Sequence, residues 1–329
     1  MKAVYINEFG PNYDLAVLEI AEPPPPAGHQ VLVGVRAAGL NRADLLQVRG
    51  AYPPPAGYSP NIPGLEFAGE VVAIGGDVKN WSAGDRVFGI TAGEAQAEFL
   101  LIDEHLLARI PASLNFTEAA AVPEVFITAH DAVFTLGELR SDEVLLIHAV
   151  GSGVGLAALQ LAKEKGAFVI GTSRTAGKLE KCREFGLDTA IETAASVDFA
   201  NAVKDATNGK GIDVILDLVG AAYFEENLAS LGLKGRLILV GLTSDPTTEF
   251  NLSIALQKRL RIFGTTLRGR SVAEKAEAVR RFEEEEVVPL FSSGKIKPNL
   301  DRVFAFDNVV DAYRYLGSNE SFGKVVLEF

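Results

Sequence analysis

The run His148-Ala149-Val150-Gly151-Ser152-Gly153-Val154-Gly155 follows an apolar segment, Val144 to Ile147, and directly precedes an amphipathic one, Val154 to Lys165. Small residues at such a turn let the backbone approach a pyrophosphate, and the helix amino terminus offers unpaired N–H groups and a partial positive charge. The spacing predicts a dinucleotide-binding turn in which Gly151, Ser152, Gly153 and Val154 meet the phosphates. It departs from a strict G-x-G-x-x-G, because Ser152 takes a position usually held by glycine. Its hydroxyl is expected to donate to a phosphate or to face the nicotinamide. The competing reading is a tight turn with a purely structural purpose.

About twenty residues further on, an enzyme preferring NAD would carry a carboxylate for the ribose hydroxyls. This chain has Ser173 there, then Arg174 and, four residues later, Lys178. Without the carboxylate a ribose phosphate is not repelled, and each cation can supply a charge-assisted hydrogen bond of about 1.5–3 kcal/mol. The expected cofactor is therefore NADPH. The alternative is that Arg174 and Lys178 are ordinary surface cations.

Other chemistries are poorly supported. A single cysteine, Cys182, and four scattered histidines, His29, His105, His130 and His148, give neither a disulfide nor a recognisable zinc motif. Each is expected to be a packed or surface side chain. Thirty-one basic against 43 acidic residues leave a net charge of −12, which disfavours nucleic acid and anionic membranes as partners. No uninterrupted apolar run approaches the ~18 residues of a spanning helix, and Met1 to Phe9 lack signal-peptide character. A soluble, cytoplasmic protein is the expectation.

The elements that must position these residues change character along the chain. Residues 1–124 are rich in glycine and proline, with short β-branched runs such as Gln30 to Val35 and Ala68 to Ile74, which predicts a β-rich domain. Prolines at 23–26 and 53–55 mark surface connections, the second a candidate to line a site. From 125 to 265, apolar strands (144–147, 168–170, 213–216) alternate with helices (154–165, 178–185, 222–231), which predicts a doubly wound parallel sheet of α/β class. Residues 266–329 read as a helix over 272–286, a strand over 302–306, a helix over 308–316 and a closing strand over 324–327, packing back onto the first domain. The run Glu283-Glu284-Glu285-Glu286 reads as a solvated helix face.

The stretches Ala38-Gly39-Leu40-Asn41-Arg42-Ala43-Asp44, Gly50-Ala51-Tyr52-Pro53-Pro54-Pro55, Pro63-Gly64-Leu65-Glu66-Phe67-Ala68-Gly69, Gly84-Asp85-Arg86-Val87, Ala121-Val122-Pro123-Glu124 and Gly323-Lys324-Val325-Val326-Leu327, with the turn at 148–155, span nearly the whole chain. Together they resemble the zinc-independent medium-chain dehydrogenase/reductases, in the quinone oxidoreductase branch. The resemblance implies a Rossmann cofactor domain beside a β-rich, GroES-like catalytic domain. In zinc-dependent relatives the positions of Asn41 and Leu65 are metal ligands, and both ligands are missing here. Without a Lewis acid the site suits an acceptor that is already electrophilic, a quinone or an enone.

The resemblance also assigns roles. Asn41 and Tyr52 are similar to the polar pair near nicotinamide and substrate, with Tyr52 or solvent as the proton source. Thr128 resembles the threonine contact to the cofactor, while Gly241, Leu242, Thr266, Leu267 and Arg268 resemble segments lining the nicotinamide and phosphate paths. Ser321 or Lys324 is a further candidate to reach the cofactor. Thr193 stands where many such reductases place a tyrosine against the ribose phosphate, which weakens the expected grip on NADP. Three readings stay open: quinone reduction, reduction of the C=C bond of alkenals or alkenones, and a non-catalytic NADPH-binding protein. The run Arg259 to Thr265 reads as an edge strand, the kind that joins two subunits in related reductases, so a homodimer is expected.

Overall fold

In the computed structural model six parallel strands form one sheet, taken across it as Thr189–Glu192, Phe168–Ser173, Val144–Ile147, Ile212–Asp217, Leu231–Leu239 and Arg261–Gly264. In chain order this is 3-2-1-4-5-6, the doubly wound arrangement, with helices such as Gly153–Lys165 and Ala221–Ser230 making the crossovers. The central strands are mostly apolar because both faces are covered. Val144, Leu146, Ile170, Ile215 and Leu237 are buried in one cluster with Phe199, Tyr223 and Leu228. The structure describes the backbone of residues 1–329 and every side chain except those of 284–286.

This sheet belongs to a contiguous unit, Thr128–Thr266, inserted in a second unit made of Met1–Ile127 and Leu267–Phe329. The first division, between Ile127 and Thr128, falls inside the helix Pro123–His130, three residues beyond the expected 124.

The second unit is built on the long strand Gln30–Leu40. It pairs antiparallel with Glu66–Ile74, Phe99–Asp103 and Lys324–Glu328, and Leu300–Ala305 lies parallel beside the last of these. One core cluster joins Val31, Val33, Phe67, Val87 and Leu100. Another joins Leu40, Leu45, Val48, Tyr313, Val325 and Leu327. The tail thus packs onto the first domain through a strand pair and a helix, Val309–Gly317.

The helix expected over 272–286 is α-helical only through Arg280. Residues Arg281–Glu286 form a π-helical turn. In that turn Glu283 Oε1 accepts the Arg109 N–H at 2.9 Å, and the side chains of Glu284, Glu285 and Glu286 lie outside the described residues. Among the described residues one helical stretch, Phe116–Leu136, has the length and apolarity to cross a membrane, and 72% of that window is buried in the protein.

Candidate functional site

The turn after the first strand of the parallel sheet is shaped for a close approach. Ala149 adopts a left-handed conformation (φ 48°), the Ser152 N–H returns to Ala149 O at 2.9 Å, and the Val150 N–H reaches Thr172 O at 3.0 Å. Ser152 caps the helix Gly153–Lys165, its Oγ accepting the Gly155 N–H at 3.1 Å. That acceptor role leaves the hydroxyl hydrogen free to donate outward. A Cβ on Gly155 would lie 2.6 Å from Val150 O, and one on Gly171 would lie 2.7 Å from a Val150 methyl. Glycine is thus required at both places for the turn to lie flat on its strand and helix. Gly151 is buried, while Ser152, Gly153 and Val154 are half-buried at the helix entrance, an arrangement that fits a dinucleotide pyrophosphate.

Behind this turn runs a buried polar chain. Asn227 donates to Asp217 Oδ2 at 3.0 Å, so its own carbonyl faces His148 Nε2 at 2.6 Å, and His148 Nδ1 meets Thr172 Oγ1 at 2.8 Å. The imidazole must therefore carry its proton on Nε2. Burial holds its pKa below the ordinary histidine value, against the pull of Asp217. Asp217 Oδ1 accepts the Val219 and Gly220 N–H groups, and its carbonyl accepts those of Val240 and Gly241. His148 is accordingly a packed core histidine that shapes the loop ends.

At the end of the second strand of the sheet, Ser173 Oγ is taken by the Thr175 N–H at 3.1 Å and Arg174 is exposed. Lys178 is half-buried on the helix Ala176–Arg183. Cys182 on the same helix is buried, its thiol pushed up to about 12 by burial, which keeps it protonated and inert. Thr193 is buried and accepts the Tyr223 hydroxyl at 2.7 Å. Gly241 is half-buried, and Leu242 and Thr266 are exposed. Thr128 is half-buried on the helix Pro123–His130.

In the other unit Asn41, at the end of the strand Gln30–Leu40, is held from three sides. Its N–H donates to Asp44 Oδ2 at 2.7 Å, its Nδ2 donates to Glu66 Oε1 at 2.8 Å, and its Oδ1 accepts Lys324 Nζ at 2.8 Å. Lys324 and Glu66 form a buried ion pair of 2.5 Å, with side chains 4% and 0% exposed. The third ammonium hydrogen goes to Leu40 O at 2.7 Å. All three donors of Lys324 are used within its own unit, which corrects its expected reach to the cofactor. Asn41, by contrast, keeps one amide hydrogen beyond these bonds. Leu65, next to Glu66, is buried and apolar, and among the described residues no three metal-ligating side chains converge.

Around this pair lie acids that resist ionisation. Burial pushes Asp44 up to about 6, and burial with the neighbouring Glu66 charge pushes half-buried Glu124 up to about 8. The Glu124 N–H itself donates to Glu66 Oε2 at 2.8 Å.

Arg268 departs from its expected place along the cofactor path. It is 4% exposed and turned inward, donating to Ala92 O and Tyr52 O at 2.8 Å each and to Gln47 Oε1 at 2.5 Å. Leu267 is likewise buried. Gln47 escaped sequence reasoning: it sits in a helix, its partners are distant in the chain, and a lone glutamine carries no spacing signal.

Comparison with known proteins agrees with both halves of the chain. Residues 27–131 match the alcohol dehydrogenase GroES-like domain, and residues 153–284 match the zinc-binding dehydrogenase family. Quinone oxidoreductase-like protein 2 homolog of Nematostella vectensis is 33% identical over 301 residues, covering 91% of this chain and 81% of its own. The pikromycin polyketide synthase component PikAII of Streptomyces venezuelae is 34% identical over 94% of this chain, which spans only 8% of that synthase. Among solved structures, Escherichia coli quinone oxidoreductase complexed with NADPH superposes with a TM-score of 0.87 at 31% identity, covering 100% of this chain and 99% of that one. The JamJ enoyl reductase in its apo form gives 0.86 at 26% identity over 99% and 98% of the two chains.

Proposed function

Because the chain belongs to the medium-chain dehydrogenase/reductase family, in its quinone oxidoreductase branch, we propose that it transfers hydride from NADPH to a quinone-type acceptor without a metal. The observation that carries this reading is the surroundings of Asn41. Where a zinc-dependent relative needs metal donors, this chain has a carboxamide locked between the Glu66 carboxylate and the Lys324 ammonium, beside an apolar leucine. That site can orient an acceptor and hydrogen-bond it, which suffices for an acceptor that is electrophilic unaided.

NADPH, when bound, supplies the hydride, and a proton must follow to give the hydroquinone. The residues do the rest. The turn at 149–155 and the amino end of the helix Gly153–Lys165 take the pyrophosphate, with Thr128, Gly241, Leu242 and Thr266 as further cofactor contacts. Ser173, Arg174 and Lys178 read the ribose phosphate. Asn41 offers its remaining amide hydrogen to the nicotinamide or acceptor, and Tyr52 orients the acceptor oxygen and can deliver the proton. The likeness to the quinone oxidoreductase solved with NADPH supports the choice of cofactor, and the absence of a carboxylate at Ser173 supports it independently.

The likeness to an enoyl reductase favours a second reading, hydride transfer to the β-carbon of an alkenal or alkenone with protonation at the α-carbon. Parallel turnover of NADPH with a benzoquinone and with an α,β-unsaturated ketone, each with and without exhaustive chelation, separates the two. Faster quinone turnover that survives chelation is expected. Preference for the enone selects the second reading, loss on chelation with rescue by zinc overturns metal independence, and no turnover with either leaves a non-catalytic NADPH-binding protein.

We further propose a cytoplasmic homodimer. The strand Arg261–Gly264 closes one edge of the parallel sheet, with Ile262 36% exposed, and the helix before it exposes Leu252 and Leu256 at 71% and 79%. Apolar surface beside an unpaired edge is a liability that pairing with a second copy removes.

A further inference from the structure

The Tyr52 loop leaves the helix Arg42–Val48 and turns through two left-handed glycines, Gly50 (φ 74°) and Gly57 (φ 99°), around three consecutive prolines. Such a segment has no regular ladder of its own, so something else must fix it. Three hydrogen bonds do so. Arg268 Nη1 donates to the Tyr52 carbonyl at 2.8 Å, and its Nη2 donates to Gln47 Oε1 at 2.5 Å. The other end of the same glutamine amide, Nε2, donates to the Pro60 carbonyl at 2.8 Å. Gln47 is 1% exposed and Arg268 4%. The guanidinium carbon also lies 5.0 Å from the centre of the Tyr52 ring, a cation–π distance. Its Nε anchors the assembly to Ala92 O at 2.8 Å.

We propose that Arg268 and Gln47 form a buried staple across the loop between Tyr52 and Pro60, making Arg268 a positioning residue that acts on the acceptor through Tyr52. This rests on the reading of Tyr52 as the acceptor-side residue. The planar fork is what the task needs. Three acceptors on three chain segments are reached from one rigid plane, and the ammonium of a lysine, a single point of charge, cannot span them. Among the described residues no carboxylate lies on the guanidinium. The arginine therefore grips carbonyl groups that any change in loop position would break, and it does so under the aromatic ring that has to be aimed. Burial lowers the pKa of the guanidinium, and at longer range the Asp44 carboxylate opposes that shift.

The test uses the full chain and the variants Arg268→Lys, Gln47→Glu, Tyr52→Phe and Arg268→Lys/Tyr52→Phe. Arg268→Lys should lower kcat/KM for a benzoquinone by about tenfold to a hundredfold, the scale of an ångström-level misplacement, while the Kd for NADPH stays unchanged. In the Tyr52→Phe background the same substitution should cost little, because its effect has already been removed. Hydrogen exchange of the amides at 50–62 should speed up in Arg268→Lys. Gln47→Glu keeps an oxygen for Arg268 but loses the donor to Pro60, so exchange should rise only towards the Pro60 end.

Equal losses in both tyrosine backgrounds would overturn the positioning role, and so would a weakened Kd for NADPH, which would return Arg268 to the cofactor. Unchanged exchange in both Arg268→Lys and Gln47→Glu would overturn the staple. Should Tyr52→Phe alone leave quinone turnover intact, the reading of Tyr52 falls and the positioning role of Arg268 with it. Exchange then reports only a loop scaffold.

Discussion

Replacing Lys324 by methionine is the sharpest test of the buried pair that orients Asn41. Methionine keeps most of the side-chain volume and removes the ammonium. Glu66, wholly buried, would then retain only the Asn41 amide and the Glu124 N–H, while Leu40 O and Asn41 Oδ1 lose their donor. Stranding one partner of a buried pair costs about 3–5 kcal/mol, much of it the penalty of an uncompensated charge. At about 2–4 °C per kcal/mol for a domain of roughly 150–250 residues, the unfolding midpoint should fall by about 6–20 °C. Thermal unfolding followed by circular dichroism without cofactor measures this directly. Lys324→Met/Glu66→Gln should recover a large part of the loss, because the neutral amide no longer needs a counter-charge and still offers an oxygen to Asn41. Quinone turnover should stay low in both variants, since the anchor of the Asn41 carbonyl is gone. A midpoint within about 2 °C of the parent for Lys324→Met, less than one kcal/mol on the same scale, would refute the claim that the pair carries buried charge.

Three further outcomes are expected. Arg174→Ala should weaken NADPH about tenfold or more, one charge-assisted bond at about 1.4 kcal/mol per decade, while leaving NADH nearly unchanged; equal losses for the two in titrations at fixed salt would refute the ribose-phosphate assignment. Glu124, at about 8 in the fold against 4.5 ordinarily, holds a proton that the unfolded chain has released. Stability should therefore fall as pH rises from about 4.5 to 8, and Glu124→Gln should flatten that fall above the lower window contributed by Asp44; an unchanged slope of midpoint against pH would rule it out. Ile262→Pro removes a ladder donor from the edge strand and should drive a dimer towards monomer in sedimentation; a parent protein that already sediments as a single chain would refute the assembly.

The parallel sheet was legible because its signals are local. Apolar runs at 144–147, 168–170 and 213–216 and the turn after the first of them each occupy a few adjacent residues, and all appear where expected. What escaped was long-range. Lys324 meets Glu66 across 258 positions and Leu40 across 284, and no pattern of spacing in one sequence reports such a pairing. Arg268 shows the same blindness in another form. A cation after a strand of a nucleotide domain reads as a phosphate ligand, and only its three carbonyl-type acceptors, more than 170 positions away, show that it faces inward. The π-helical turn at 281–286 was invisible because its side-chain pattern continues that of the helix before it. Thr193 was recognised as a departure from the family, but that its hydroxyl would be occupied by Tyr223 depended on the packing of a different helix.

The interrupted order of the chain sets a schedule for folding. The parallel-sheet unit, Thr128–Thr266, is continuous, so all of its strands have been synthesised once residue 266 is made. The unit around it has to wait with the strand Gln30–Leu40 lacking its Lys324–Glu328 neighbour, and with a carboxylate at Glu66 whose counter-charge has not yet been synthesised. Until then Glu66 lacks its counter-charge, and its carboxylate is left to water or to a proton. Closure of that unit is expected to come late, and a released chain ending between residues 267 and 323 should display a protease-resistant nucleotide domain preceded by a cleavable amino-terminal one.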